Sequence, residues 1–214
     1  MSVVIVNYGS GNLRSAAKAF ERGANELGVS EKVFVSGDPD IIRKADRIVL
    51  PGVGAFSSCL RQLNNIPGLV DILNEVVNSQ GVPFLGICVG MQLLSRESSE
   101  HGNHKGFNWI PGKVSKISCS KEQIKIPHMG WNTLRLQNSS HAMVKNMPQN
   151  PNVYFVHSYS LHPDTPEDVI ATTEYGGPLT AMVARDNILG TQFHPEKSQS
   201  VGLTIIKNFL KWQP

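Results

Sequence analysis

Short apolar segments alternate with amphipathic segments through the first 95 residues, and this alternation limits the possible folds more than any other feature of the sequence. The apolar segments have the length of buried strands and lie at 2–6, 33–36, 47–52 and 82–88. Between the first two, segment 13–27 repeats its apolar residues at helical spacing, and Gly28 is a typical helix stop. Helical patterns also follow the later strands. We therefore predict an α/β fold with a mostly parallel central sheet that has helices on both faces.

The pattern changes after about residue 105, where short alternating segments are separated by turns rich in Asn, Pro and Gly. These segments lie at 113–118, 124–129, 133–137, 153–159, 169–175, 179–185 and 188–193. We expect them to form antiparallel strands that extend the sheet or pack on it. The apolar stripe at 202–212 predicts a helix that closes the fold.

Length and composition describe one globular domain over 1–214. No linker or charge run divides the 214 residues, and hydrophobic and charged fractions of 40% and 17% are typical of a chain with a large core. The net charge of +3 is small and the lysines are scattered, which argues against binding to nucleic acid. No apolar run approaches the roughly 20 residues of a membrane span, and no signal peptide is evident, so we expect a cytosolic protein without membrane contact.

The cysteine content does not favour a disulfide framework or a metal site. The three cysteines are Cys59, Cys88 and Cys119, and none has the CxxC or Cys/His spacing of a zinc site. The GSG at 9–11 is too short for a dinucleotide fingerprint. We expect neither metal nor cofactor, and any chemistry at cysteine would be that of a free thiol.

Cys88 has the sequence context of a nucleophile. It ends an apolar run within Gly86-Ile87-Cys88-Val89-Gly90, which matches the G-x-nucleophile-x-G pattern of a strained strand-to-helix turn. Glycines at such a turn remove Cβ atoms that would collide with neighbouring backbone. A helix N-terminus favours thiolate, and the N–H of Val89 is placed to face an oxyanion. The same pattern also occurs for packing alone, so a base is needed to decide between the two interpretations.

His194 and Glu196 are candidates for that base and for the group that orients it. They lie in QFHPEKS (192–198), where Pro195 biases His194 toward extended backbone. Residues two apart in extended chain point to the same side, so the Glu196 carboxylate can orient the imidazole. We predict a thiol triad in which Cys88 attacks, His194 shuttles the proton and Glu196 fixes the ring.

A cysteine in GICVGMQ followed about a hundred residues later by HPE resembles the class I glutamine amidotransferases over the whole chain. Within that class, five further motifs resemble the glutaminase subunits of imidazole glycerol phosphate synthase, which serve histidine biosynthesis. They are NYGSGNLRS (7–15), LPGVGAF (50–56), PHMGWN (127–132), YFVHSY (154–159) and QFHPEKS (192–198). The resemblance implies a flavodoxin-like sheet and hydrolysis of glutamine through a thioester on Cys88.

The same resemblance implies a partner. The ammonia passes to a cyclase subunit with a (β/α)8 barrel, in a heterodimer that makes imidazole glycerol phosphate and an aminoimidazole carboxamide ribotide. Two alternatives stay open. One is a glutaminase subunit of another amidotransferase (anthranilate, aminodeoxychorismate or pyridoxal phosphate synthase), and the other is a catalytically inactive regulatory binding module.

The resemblance also implies roles for individual residues. Gly52 and Val53 resemble the oxyanion strand, with glycines that could let the peptide turn when the partner binds; an ordinary Pro-Gly turn is the alternative. Contacts to glutamine are implied for Gln92, Glu100, Ser158 and Tyr159, with Glu100 alternatively a surface acid. The face toward the cyclase is implied for Asn12, His128, Met129, Gly130, Trp131, Asn132 and Lys197, with Trp131 alternatively a core residue. Cys59 and Cys119 are expected to be structural, and His157 a satisfied core histidine.

Overall fold

The computed structural model describes residues 1–30, 32–118 and 124–214, so the expectation for Cys119 lies outside the described residues. The strands are β1 (Ser2–Val6), β2 (Lys32–Ser36), β3 (Arg47–Gly52), β4 (Phe84–Cys88), β5 (Glu97–Ser98), β6 (His104–Lys105), β7 (Gly112–Lys116), β8 (His128–Leu136), β9 (Asn152–His157), β10 (Tyr159–Pro163), β11 (Val169–Glu174), β12 (Pro178–Arg185) and β13 (Ile188–Thr191). The helices are α1 (Leu13–Leu27), α2 (Pro39–Ile42), α3 (Phe56–Asn64), α4 (Leu69–Asn74), α5 (Val89–Gln92) and α6 (Gln199–Lys211). A π-helical turn at Glu75–Ser79 continues α4.

The central sheet confirms the predicted α/β class. Within residues 1–30, 32–118 and 124–214 it has nine strands, in the order β2-β1-β3-β4-β13-β12-β11-β8-β9. The first five strands in this order, from β2 to β13, pair in parallel. Each of the remaining four, from β12 to β9, pairs antiparallel with the strand before it in the order. The parallel strands β1, β3 and β4 are almost fully buried, as their continuous apolar sequences predict.

A smaller sheet lies beside the large one. In the part of the chain that the structure describes, its four strands are ordered β10-β7-β5-β6. Strand β10 follows β9 of the large sheet after one residue, so Ser158 and Tyr159 lie where the chain passes from one sheet to the other. The antiparallel strands of the second half therefore both extend the first sheet and form a second one, as the sequence pattern predicts.

Helices α1 and α6 pack together on one face of the large sheet. The ring of Phe20 in α1 meets that of Phe209 in α6 edge-on, with 6.1 Å between centroids. Helix α1 ends where predicted, because Gly28 takes a left-handed conformation with φ of 67° and its N–H bonds back to Ala24 and Asn25. Among the residues described, no helix is both long and apolar enough to cross a membrane.

The register of three parallel strands positions the site. Gly52 at the end of β3 pairs with Cys88 at the end of β4, and Thr191 at the end of β13 pairs with Ile87. The carboxyl ends of these strands therefore form one edge, which is where α/β sheets collect their ligands. Segments 53–56, 89–92 and 192–197 all leave the sheet at this edge.

Candidate active site

Cys88 occupies a strained turn between β4 and α5. Its φ of 56° is a left-handed value that residues other than glycine rarely adopt. A Cβ on Gly90 would lie 1.9 Å from the carbonyl oxygen of Leu50, and one on Gly86 would lie 2.5 Å from that of Gly90. Both glycines are therefore required by the close approach of backbone around the turn, which is the reason that the sequence pattern suggested. The turn holds Cys88 at the rim of the sheet with its side chain nearly buried.

His194 and Glu196 form a buried pair. Nδ1 of His194 donates to Oε1 of Glu196 over 2.8 Å, and the two side chains are only 3% and 4% exposed. The backbone of His194 is extended, with φ of −96° and ψ of 100°, and a short 3-10 turn at Pro195–Lys197 follows. Pro195 thus has the predicted effect on the backbone of His194, but Glu196 lies in a 3-10 turn rather than in extended chain, so this turn and not strand alternation brings the two side chains together.

The charge of His194 is set by its two neighbours. Burial alone would lower the pKa of His194, but the sulfur of Cys88 and the carboxylate of Glu196 favour the protonated ring and raise that pKa to about 10. Since Nδ1 bonds to Glu196, Nε2 is left for the sulfur. Nε2 has no hydrogen bond of ordinary geometry to any described residue, so its contact with Cys88 is a loose one. Catalytic hydrogen bonds are often long until substrate is in place.

Gln192 joins this group and was missed in the sequence. Its Nε2 lies 3.7 Å from Sγ of Cys88, and its Oε1 accepts from Nε2 of Gln92 over 3.0 Å. The side chain is fully buried. A signal was present, because an amide in the otherwise apolar run before His194 has to find buried partners.

The segment that resembles an oxyanion strand is held by hydrogen bonds to its Val53 peptide. The N–H of Val53 donates to Oγ of Ser10 over 3.2 Å, and the Ser10 hydroxyl donates to the Val53 carbonyl over 2.9 Å. The thiol of Cys59 also donates to that carbonyl over 3.3 Å. Burial raises the pKa of Cys59, which keeps this thiol protonated and able to donate. In this conformation the N–H of Val53 is therefore bound to Ser10.

The two glycines that flank Val53 differ in conformational freedom. A Cβ on Gly52 would lie 2.7 Å from the backbone nitrogen of Gly90, so Gly52 is needed for close packing against the nucleophile turn. Gly54 has φ of 90° and open space where a Cβ would be. Only Gly54 has the local freedom for a peptide to turn.

A cavity of about 330 Å³ opens beside Cys88. This is at the small end of the range for ligand sites, roughly 300–1,000 Å³, and suits a molecule the size of an amino acid. Besides Cys88 and His194, its lining includes Val53, Val89, Gln92, Glu100, Ser158 and Tyr159. All four residues with an implied contact to glutamine are therefore brought to the nucleophile.

Glu100 is not a surface acid, so that alternative is wrong. Its side chain is buried, and Oε2 accepts from the N–H of Phe56, the first residue of α3, over 2.7 Å. The carboxylate is favourable there because the helix N-terminus is electropositive. Glu100 thus ties the cavity to the helix that follows the oxyanion strand.

The residues with an implied contact to a partner are mostly exposed. Met129 and Trp131 on β8 are 64% and 49% exposed, so the core alternative for Trp131 is wrong. Asn12 and Lys197 are also exposed, and Gly130 and Asn132 are half-buried. His128 differs, because it is only 2% exposed and its ring stacks on Tyr175 with 4.0 Å between centroids. Strand alternation turns His128 inward, so its ring is not part of the outer surface.

The described residues contain no group of three or more His, Cys, Asp or Glu arranged to hold a metal ion. The reactive groups at the cavity are a thiol, an imidazole and a carboxylate. The family model described as glutamine amidotransferase class-I matches residues 6–212. The chain belongs to the class I glutamine amidotransferases.

Full-length relatives define its place within this family. The HisH subunits of imidazole glycerol phosphate synthase from Rhodospirillum rubrum and Rhodopseudomonas palustris are 54% and 53% identical, and the alignments cover 100% of both chains in each case. The chain is thus a glutamine amidotransferase of the HisH group.

Solved structures of other class I amidotransferases share the fold. The glutaminase domain of CTPS from Trypanosoma brucei, with bound acivicin, has a TM-score of 0.68 at 16% identity and covers 100% of this chain and 94% of that one. A structure described as a glutamine amidotransferase has a TM-score of 0.69 at 17% identity, with 98% and 97% coverage. The fold is therefore shared with these proteins. Sequence identities this low do not indicate which molecule accepts the ammonia.

Proposed function

We propose that this chain is the glutaminase subunit of an imidazole glycerol phosphate synthase, which hydrolyses glutamine and supplies the ammonia to a cyclase subunit. The observation that carries the proposal is the full-length identity to HisH subunits in a chain that keeps Cys88, His194 and Glu196 together. The alternatives, another acceptor or an inactive binding module, have no observation that favours them.

The triad would act in two steps. The sulfur of Cys88 attacks the side-chain amide carbon of glutamine, and His194 gives its proton to the departing nitrogen, so that a C–S bond forms and the C–N bond breaks. Water, deprotonated by His194, then attacks the thioester and releases glutamate and the Cys88 sulfur. Glu196 keeps Nδ1 protonated, so that Nε2 faces the reaction in both steps.

The oxyanion site is incomplete in this conformation. The N–H of Val89 is the first of α5 and has no acceptor within that helix. The second donor is the N–H of Val53, which must leave Ser10 before it can serve. A turn of the peptides next to Gly54 would bring it to the negative oxygen, and we propose that binding of the cyclase drives this turn.

Glutamine would lie in the cavity with its amide at Cys88 and its amino-acid end at the opposite side. Gln92, Glu100, Ser158 and Tyr159 line this cavity, and we propose that they receive the amino-acid end. The Glu100 carboxylate suits the ammonium group, and backbone N–H groups suit the carboxylate. The small volume explains why a free amino acid, rather than a peptide, is the substrate.

The exposed residues Asn12, Met129, Trp131 and Lys197, with half-buried Asn132, would form the face that receives the cyclase, for which we propose a (β/α)8 barrel in a heterodimer. Exposed aromatic and methionine side chains are enriched in protein interfaces. His128 and Gly130 would support this face from within β8. The 214 residues would act as one domain, in the cytoplasm and in histidine biosynthesis.

The test uses the full chain with and without the cyclase subunit. Glutamate release should rise when the cyclase is added, and a glutamine-mimicking diazoketone should give a single adduct on Cys88 by intact mass. Labelling without stimulation by this cyclase would point to another acceptor. No adduct even with the cyclase present would indicate a binding module.

A further inference from the structure

Two buried side chains meet at the carbonyl oxygen of Tyr159, and the proposed reaction uses neither bond. Nδ1 of His157 lies 2.8 Å from this oxygen and Nε2 of Gln92 lies 3.1 Å from it. A main-chain carbonyl can only accept hydrogen bonds. Both nitrogen atoms must therefore carry a hydrogen that points at Tyr159. This determines which atom donates and which accepts in the hydrogen bonds that continue from Gln92 and from His157.

The first arm leads to the nucleophile. Because the amide nitrogen of Gln92 must face Tyr159, the atom of Gln192 that it also contacts over 3.0 Å must be the oxygen. The nitrogen of Gln192 is then the atom 3.7 Å from Sγ of Cys88. Because the carbonyl oxygen of Tyr159 cannot donate, the orientation of both amides is determined. The group of Gln192 that points at the Cys88 sulfur is therefore an N–H donor.

The second arm leads to strand β8. With Nδ1 of His157 donating to Tyr159, Nε2 of a neutral ring must accept, so Nδ1 of His128 donates to it over 3.0 Å. Nε2 of His128 then accepts from Nδ2 of Asn132 over 3.2 Å. The Asn132 orientation agrees independently, because its Oδ1 accepts from the N–H of Thr133 over 2.8 Å. Burial lowers the pKa of His128 and of His157 to about 4, which keeps both rings neutral, as the chain requires.

We propose that Gln192 is a further catalytic residue, whose amide N–H holds and stabilises the Cys88 sulfur, and that His157 and His128 are positioning residues. His157 on β9 fixes the Tyr159 carbonyl, and His128 on β8 fixes the ring of His157. This inference rests on the proposed glutaminase activity. An N–H donor suits a sulfur that becomes negative whenever His194 holds the proton. The amide adds no charge to the site, so a proton can still pass between Cys88 and His194.

The test of Gln192 uses the complex with the cyclase and two variants. Gln192→Met keeps the volume but removes the donor, and Gln192→Glu keeps the acceptor for Gln92 but presents an oxygen to the sulfur. We expect kcat for glutamine hydrolysis and the rate of Cys88 alkylation by iodoacetamide to fall together by about tenfold, as loss of a hydrogen bond to a charged group predicts. KM for glutamine should stay within about twofold, since neither change removes a substrate contact.

The controls separate this effect from loss of fold and from added charge. Gln137→Glu makes the same charge change at an exposed position and should match the wild type in both assays. Product formation from added ammonium salt reports an intact complex for every variant. A purely structural role of Gln192 would lower the unfolding midpoint without slowing alkylation at a temperature where the complex is intact.

The positioning pair is tested with His157→Phe and His157→Asn. Phenylalanine removes the donor to Tyr159 and should raise KM for glutamine about tenfold, because the substrate-binding turn loses a fixed carbonyl. The Nδ2 of asparagine can replace Nδ1, so His157→Asn should recover most of the wild-type KM. Equal KM values for the two variants would overturn the role of the pair.

The outcomes distinguish this inference from the proposed function. If the wild-type complex hydrolyses glutamine but both Gln192 variants alkylate and turn over like it, the role of Gln192 is wrong and the glutaminase assignment stands. If the wild-type complex releases no glutamate, the proposed function fails, and this inference fails with it.

Discussion

The nucleophile turn and the oxyanion strand are neighbours in the sheet, but only one of them is in a reactive arrangement. The turn around Cys88 is fixed by steric contact, since Gly86 and Gly90 leave no space for another backbone path. The strand at Val53 is instead held by hydrogen bonds from Ser10 and Cys59. Steric packing allows no alternative conformation, whereas hydrogen bonds can be exchanged for others.

This difference places the control of activity in one short segment. Each hydrogen bond to Val53 contributes about 1 kcal/mol, so the three together are within the energy that binding of a partner supplies. The turn at Cys88 does not have to move, because Gly52 already packs against Gly90. A protein built in this way can be switched on without disturbing its nucleophile.

Loss of the nucleophile should have the largest effect. In the complex, Cys88→Ala should lower glutamine-dependent product formation by about 10⁴-fold or more, because no other group forms the thioester. Synthesis from added ammonium salt should be unchanged. Cys59→Ala is the matched control, since it removes the other described thiol and should retain glutaminase activity. Loss of both activities in Cys88→Ala would contradict the division of labour between the subunits.

A methyl group in the nucleophile turn should have the next largest effect. Gly90→Ala brings a Cβ against the Leu50 carbonyl, and we expect it to lower the free energy of unfolding by about 3 kcal/mol or more. Gly81→Ala is the control, because a Cβ there meets nothing and the cost is only that of a left-handed φ, about 1 kcal/mol. Urea denaturation measures both. Equal costs would mean that the turn is not sterically fixed.

Release of the oxyanion strand should have a smaller effect with the opposite sign. Ser10→Ala removes both the acceptor for the Val53 N–H and a donor to its carbonyl. We expect glutaminase activity without the cyclase to rise by about tenfold, equivalent to about 1.4 kcal/mol, while the activity of the complex changes little. Steady-state glutamate release measures it. An unchanged basal rate would show that Ser10 does not restrain the strand.

The last effect is gradual and concerns acid stability. The lowered pKa values of His128 and His157 mean that the unfolded chain binds more protons between about pH 6.5 and pH 4, so stability falls as the pH falls through this window. Each ring contributes at most about 1.4 kcal/mol per pH unit. His194, with its pKa raised to about 10, is protonated in the native state throughout, so it contributes a slope of the opposite sign near pH 6.5 and none below about pH 5. This contribution is the same in the wild type and in a His157 variant.

His157→Phe isolates this contribution. Free energies of unfolding measured from pH 7 to pH 4.5 should decline less steeply in the variant than in the wild type. His141 and His162 also have lowered pKa values from burial, and their share of the slope should remain in both proteins. Identical slopes would mean that His157 is not buried in its neutral form.

The sequence predicted those features that depend on local pattern. The parallel strands, the end of α1 at Gly28 and the extended backbone of His194 follow from periodicity and from proline or glycine geometry. Gln192, the inward side of His128 and the bonds from Ser10 to Val53 depend on which segments meet in space. Ser10 and Val53 are 43 positions apart, and no local rule connects them. The bond from the Phe56 N–H to Glu100, a residue with an implied contact to glutamine and a surface acid as the alternative, was missed for the same reason.

The carboxylate of Glu100 has a consequence for attempts to change the substrate. One of its oxygens closes the first turn of α3, and the same group lines the space where the amino group of glutamine would lie. Replacing it to admit a ligand without an ammonium group would also free the N–H of Phe56 and loosen the helix behind the oxyanion strand. Under the proposed function, selectivity for amino acids and the restraint of resting activity would share one side chain, and engineering one of them would alter the other.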